Sequence, residues 1–192
     1  APLYAVQPPN YQGIVPKLEV KEGATVKAGS TLFHSKEHPE VKFLSPVSGT
    51  VKQVVRGEKR RILAVVVEAD GKNELHAFAS VDPAATDREA LVAAVAERGF
   101  FAFIEQRPFA TVANPTDVPR SIHVSGFDSA PLAADMEVAL AGREAAFQTG
   151  IHALRVLAGG SNVQLGTKAG QTFFNAIEGV DTFTFEGPHP TG

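Results

Sequence analysis

Cysteine and tryptophan are absent from the 192 residues, and methionine occurs once. Without thiols there are no disulfides, thiolate metal sites, iron–sulfur ligands or cysteine nucleophile. Of the six histidines only His34 and His38 share an HxxxH spacing, and they fall in a strand-like run and the turn after it with no third ligand grouped beside them, so no metal site is expected. Ser48-Gly49 and Ser125-Gly126 lack a GxSxG setting, which argues against serine hydrolysis. No apolar run approaches the roughly 20 residues that cross a bilayer as a helix. The longest, Ile62 to Val67, is strand-sized. No signal peptide is visible, and the chain begins at Ala1. A net charge of −3 makes no electrostatic case for nucleic acid or an anionic membrane surface. At 44% hydrophobic the chain can bury a core, and 13 Phe against 2 Tyr suggests aromatics used mainly as filler.

Residues 1–80 read as an all-β domain. Strand-like runs at Ile14–Val20, Thr31–Ser35, Val41–Leu44, Thr50–Val55 and Arg61–Glu68 are broken by Gly or Pro about every 8–12 residues. Asp70-Gly71 is a hairpin signal. Residues 81–192 read as an open α/β domain. Thr86-x-x-Glu89 has the form of a capping box opening a helix that stops at Gly99. "FFAFIE" (100–105), "RSIHVSG" (120–126), "NVQLGT" and "VDTFTFEG" read as strands, and "AGQTFFNAIEG" as a short helix. The clearest helix spans 143–160, with Phe147, Ile151, Leu154 and Ala158 on one face and Gly159-Gly160 at its end. Strand–helix–strand alternation implies a parallel sheet with helices packed on it.

Val20, Gly23, Val26, Gly29 and Leu32 recur every third residue, and a Ser45-Pro46-x-Ser48-Gly49-x-Val51 turn follows. This resembles the lipoyl- and biotinyl-type barrel-sandwich hybrid, whose carriers display a lysine on an exposed hairpin tip. The matching position here is His38. Lys36 and Lys42 are the nearest lysines, and "HSKEHPE" has neither the Asp-Lys-Ala nor the Met-Lys-Met of carriers. The expectation is a carrier fold without an attachment site.

The resemblance extends along the chain. "VKAGSTLFHSKEHPEVKFLSPVSGTVKQVVRGEKRRIL" (26–63), "RPF" (107–109), "DSAPLAAD" (128–135), "EAAFQTGIHAL" (144–154) and "GPHPTG" (187–192) resemble, in order, the A subunits of the bacterial Na⁺-translocating NADH:quinone oxidoreductase. The resemblance implies an N-terminal to central part of a longer subunit, without its first strand or two and its C-terminal part. It implies a peripheral subunit on the cytoplasmic side of the bacterial inner membrane, in complex with other subunits. These would carry the NADH site, flavins and iron–sulfur centres. Ubiquinone is the implied substrate, and no cofactor or catalytic centre is expected on this chain. The second domain is expected to be an incomplete Rossmann-like fold, similar to the flavoprotein subunit of complex I. "LGTKAGQT" (165–172) lacks the GxGxxG spacing that would bring backbone amides to a phosphate. Two alternatives stay open: the related subunit of a ferredoxin–NAD electron-transport complex, and a stand-alone lipoyl or biotinyl carrier.

A quinone head group calls for a flat apolar slot with one or two donors to its carbonyl oxygens. "EQRPFATV" (105–112) supplies Arg107 as donor and Phe109 as ring. "PPNYQGIVP" (8–16) supplies the Tyr11 hydroxyl beside Gly13, which allows close approach. These four are the candidate quinone-binding residues, if their segments meet at the interface of the domains. Otherwise Arg-Pro-Phe closes a loop over the core. His189 reads as part of a rigid turn and Asp128 as a cap or turn residue. Lys36, Lys42, Lys52, Arg56, Lys59, Arg60 and Arg61 make the first domain locally basic.

Overall fold

The computed structural model describes residues 2–191, which form two compact units. One comprises the chain up to Ser80 together with Val92–Asp117, and the other comprises Val81–Leu91 and Val118 onward. Residues 92–117 thus pack with the β-rich part, whereas their position in the sequence groups them with the α/β part.

The first unit holds β1 (Leu3–Val6), β2 (Pro16–Leu18), β3 (Thr25–Val26), β4 (Thr31–Ser35), β5 (Lys42–Leu44), β6 (Gly49–Arg56) and β7 (Ile62–Ala69). They form two antiparallel sheets, ordered β1-β7-β6-β3 and β2-β4-β5. Strand alternation sends Val51, Val65 and Val67 inward, all at 0% exposure. In β4 the pairing with β5 slips between Thr31 and Phe33, and both Leu32 and Phe33 are buried, as a bulge permits. Phe33 stacks on Phe43 with ring centroids 4.7 Å apart and planes 12° from parallel, so these rings are core, as the sequence suggests.

The Ser48-Gly49 turn carries the tightest constraint in this unit. Gly49 sits at φ +154°, and a Cβ there would fall 2.0 Å from the Glu68 carbonyl oxygen, so only glycine fits. The Ser48 hydroxyl donates to Asp70 Oδ1 at 2.7 Å and accepts from the Glu74 amide at 3.1 Å. Asp70 also accepts from the Lys72 amide at 2.9 Å. Asp70-Gly71 therefore makes an Asx-type turn closing the end of β7, not the hairpin expected.

Helix α1 (Arg88–Glu97) contains the division between the units. Its first turn differs from the capping box read in the sequence. The Asp87 carboxylate takes the Ala90 amide at 2.8 Å, while the Thr86 hydroxyl donates back to the Asp82 carbonyl. Gly99 leaves the helix in the left-handed region at φ 72°, and Phe100–Phe103 wind into a 3₁₀ turn where a strand was expected. Its four residues bury mainly Phe101, at 5% exposure, and leave Phe103 at 81%. Among the described residues no strand pairs with this apolar run. Extended structure begins at β8 (Glu105–Gln106), which pairs with β9 (Thr111–Val112) as a small hairpin.

The second unit contains β10 (Ser121–Ser125), α2 (Met136–Leu140), α3 (Glu144–Leu157), β11 (Asn162–Lys168) and β12 (Asp181–Phe185). The three strands form a parallel sheet in the order β10-β11-β12, as the alternation implied. Helix α3 packs on β11, bringing Ile151 and Leu157 to the buried Val163 and Leu165 side of the sheet. Phe147 meets Phe173 and Phe174 edge-on. Phe173–Ala176 is a 3₁₀ turn and not a helix of full length. Gln148 clamps α3 to the approach of β12, its oxygen taking the Glu178 amide at 2.9 Å and its nitrogen donating to the Glu178 carbonyl at 3.0 Å.

Candidate functional site

The segment 8–16 and the β8–β9 hairpin do meet. They meet inside the first unit and not at a boundary between domains, because 92–117 belongs with the β sheets. The Val112 amide donates to the Gln12 carbonyl at 3.0 Å. Gly13, at φ +84°, lies so near the hairpin that its Cβ would come within 3.2 Å of Thr111 Cβ. On its other side the same segment is tied to β4, where the Lys36 amide donates to the Val15 carbonyl at 2.8 Å.

Between these elements lies a cleft of about 260 Å³. Gly13, Ile14, Val41 and Val112 give it apolar lining, and His38, Gln106 and Asn114 are among its polar groups. Gln106 is held in place: its oxygen accepts from the Asn114 amide at 3.4 Å and its nitrogen donates to Asp117 at 3.3 Å. Of the four candidates, only Gly13 lines this cleft. Tyr11 sits beside it, its ring 4.5 Å from Phe43 and 6.5 Å from Phe33, and burial raises its phenol pKa above the ordinary value. Arg107 and Phe109 stand on the exposed turn joining β8 and β9, with Phe109 74% exposed. Among the cleft residues, Gln106 and Asn114 were not singled out by sequence reasoning, and His38 was noticed only because it is not lysine. Their common feature, proximity across roughly 70 residues of chain, leaves no local mark.

In the second unit the carboxyl ends of the strands are where open α/β sheets bind ligands. There the turn after β11 is occupied by a side chain of the protein itself. Glu137 Oε1 accepts from the Thr172 amide at 2.5 Å, the Phe173 amide at 2.8 Å and the Thr172 hydroxyl at 3.1 Å. The backbone amides of Phe173 and Thr172 hold this carboxyl below the usual glutamate range. Asp128 accepts from the Ala130 amide at 2.8 Å, a turn role, and His189 Nδ1 lies 3.0 Å from the Ser129 hydroxyl. A larger open cavity of about 760 Å³ touches His152, Arg155, Asn162 and Asp181. It lies at the amino-terminal ends of β11 and β12, away from the usual ligand edge. No group of His, Cys, Asp or Glu suited to a metal ion occurs among the described residues. No helix among them is long and apolar enough to cross a membrane.

Comparison with known proteins bears on which of these sites to weigh. Residues 1–70 match the family model described as the NqrA N-terminal barrel-sandwich hybrid domain, and residues 86–192 match the NqrA second alpha/beta domain. The chain belongs to the NqrA family. Among similar proteins are the Na(+)-translocating NADH-quinone reductase subunits A of Saccharophagus degradans (33% identical), Rhodopirellula baltica (35%) and Pseudomonas aeruginosa (37%). Each match covers 95% of this chain and 41% of the relative, so the chain spans about two fifths of the length of the NqrA proteins it matches. The family, the barrel-sandwich hybrid and the α/β domain are those that the sequence motifs implied.

Proposed function

We propose that this chain is part of a peripheral, cytoplasmic-side subunit of a Na⁺-translocating NADH–quinone reductase and contributes to binding ubiquinone at the end of the electron path. In this reading it carries no redox cofactor of its own. Electrons reach the quinone from flavins and iron–sulfur centres on other subunits, and the chain also scaffolds the assembly.

The observation that carries the reading is the cleft between segment 8–16 and the β8–β9 hairpin. Its volume lies just under the about 300–1,000 Å³ of sites that enclose drug-sized ligands. That suits a single ring with its prenyl tail left outside. Ile14, Val41 and Val112 offer apolar contact to the ring, while Phe109 on the adjoining exposed turn offers apolar surface for the tail. Arg107 stands at the same tip as a donor or as a contact to a neighbouring subunit. Glu137 fills the turn where a nucleotide phosphate would otherwise seek amides, which favours a domain retained for its shape.

The test uses membranes from cells whose gene for this protein is deleted and then restored. NADH oxidation is followed with a soluble acceptor and separately with a short-chain quinone, each with and without sodium. Loss of quinone reduction with survival of acceptor reduction supports the proposal. Survival of both in the deletion strain ends it.

A further inference from the structure

The hairpin tip between β4 and β5 is the place where carrier domains of this fold present their lysine, and a swinging arm requires a tip free of the rest of the domain. Here the tip is tied down. The Ser35 amide donates to the Val41 carbonyl at 3.0 Å and the Val41 amide to the His38 carbonyl at 2.9 Å. The His38 amide donates to the Ser35 hydroxyl at 3.3 Å, and Ser35 is itself 3% exposed. Lys36 is fastened to Val15. The tip has become one wall of the cleft, facing Gln106, Val112 and Asn114 on the other.

His38 is partly buried in that wall. Its Nδ1 lies 3.6 Å from Glu40 Oε1, within ion-pair reach, and among the described residues no group hydrogen-bonds Nε2. The charged residues of its own hairpin are Lys36, Glu37, Glu40 and Lys42. Across the cleft, Gln106, Thr111 and Asn114 carry no charge, and Asp117 is engaged by the Gln106 amide. Gln106 has committed both ends of its amide, so it cannot turn to serve a ligand without breaking a bond. Thr111 and Asn114 also line the cleft with polar side chains, and the imidazole adds a ring nitrogen that no described group hydrogen-bonds.

Building on the quinone reading above, we infer that His38 is the residue of this cleft that hydrogen-bonds a quinone carbonyl oxygen through Nε2. Glu40, with Oε1 3.6 Å from Nδ1, places a carboxylate beside the other edge of the ring without hydrogen-bonding it. With both nitrogens protonated, Nε2–H donates to the carbonyl of the oxidised ring. With the proton on Nδ1 alone, Nε2 accepts from the hydroxyl of the reduced ring. Ile14, Val41 and Val112 would hold the ring by its faces and edges. His38 thus takes a binding role at the position where relatives of this fold carry a covalent arm.

The experiment uses the assembled reductase in membranes with ubiquinone-1 as acceptor, comparing His38→Ala and His38→Gln with the natural protein. KM and kcat are determined separately for each variant. His38→Ala is expected to raise KM for ubiquinone-1 about tenfold, the loss of one ligand hydrogen bond at about 1.4 kcal/mol. NADH oxidation by a soluble acceptor should be unchanged, which shows that the complex is intact. His38→Gln keeps a side-chain donor and acceptor. It should restore KM to within about threefold with kcat unchanged, a rescue that mere support of the hairpin would not produce. An unchanged KM in His38→Ala overturns the inference. If Gly13→Val or Phe109→Ala still raises KM, the quinone reading survives that failure; if the deletion strain itself reduces ubiquinone-1 normally, both fall.

Discussion

The Val112 amide and the Gln12 carbonyl are hydrogen-bonded at 3.0 Å, and through that bond two segments about 100 residues apart form one wall of a cleft. Gly13 follows directly and has little room for a side chain. Its φ of +84° disfavours any L-residue, and a Cβ would press on Thr111 at 3.2 Å. Gly13→Ala should lower stability by about 1–2 kcal/mol from the left-handed backbone alone. A urea titration measures this, and Gly13→Val should in addition weaken quinone reduction by displacing the hairpin. A Gly13→Ala protein as stable as the natural one would mean that the segment shifts freely.

Arg107 and Phe109 make the opposite case, because both are exposed on the β8–β9 turn. Arg107→Ala and Phe109→Ala should change stability by no more than about 0.5 kcal/mol. Any fall in quinone reduction is then a loss of contact with quinone or a neighbouring subunit and not of fold. If both variants reduce quinone normally, the hairpin tip has no part in the site.

Glu137 gives the second unit a pH-dependent contact that can be tested. Hydrogen bonds from the Phe173 and Thr172 amides lower its pKa in the folded protein. A carboxyl with a depressed folded pKa contributes stability above its unfolded pKa of about 4.3, and the contribution is lost as pH falls through the folded value. The natural protein should therefore exceed Glu137→Gln in urea midpoint at neutral pH, and the gap should close on acidification below about pH 4. A gap that persists into acid would show that the amide hydrogen bonds, and not the charge, matter.

How much of this was legible in the sequence depended on whether the cause was local. The Val–Gly period and the Ser48-Gly49 turn mark the first fold because each glycine answers a constraint at its own position, as at Gly49. The helix at 144–157 was equally plain, since its apolar face repeats with the helical period. Phe100–Phe103 misled because an apolar run carries no sign of whether a neighbouring strand exists. At Thr86 two adjacent residues could each cap, and the carboxylate of Asp87 took the amide. The cleft was beyond reach for a different reason: His38, Gln106 and Gly13 come together only through tertiary packing. Motif resemblance pointed to the segments around Gly13 and Arg107, and geometry then separated the residue that lines the cleft from those outside it.

Gly49 offers the sharpest test of the first unit. A Cβ at this position would lie 2.0 Å from the Glu68 carbonyl oxygen and 2.9 Å from its carbon, and both are backbone atoms inside the β6–β7 ladder. Neither can move without breaking strand pairing, so the clash cannot be relieved by a side-chain turn. The extended hydrogen-bond set of Ser48, Asp70 and Glu74 leans on the same corner. Gly49→Ala should cost about 4 kcal/mol or more, the range of backbone and core disruption, and should leave the first unit largely unfolded near 37 °C. Ser48→Ala next to it removes two hydrogen bonds without a clash and should cost about 1–3 kcal/mol. Circular dichroism melts of the two variants separate these effects. If Gly49→Ala melts no lower than Ser48→Ala, the β6–β7 corner yields more than its geometry implies.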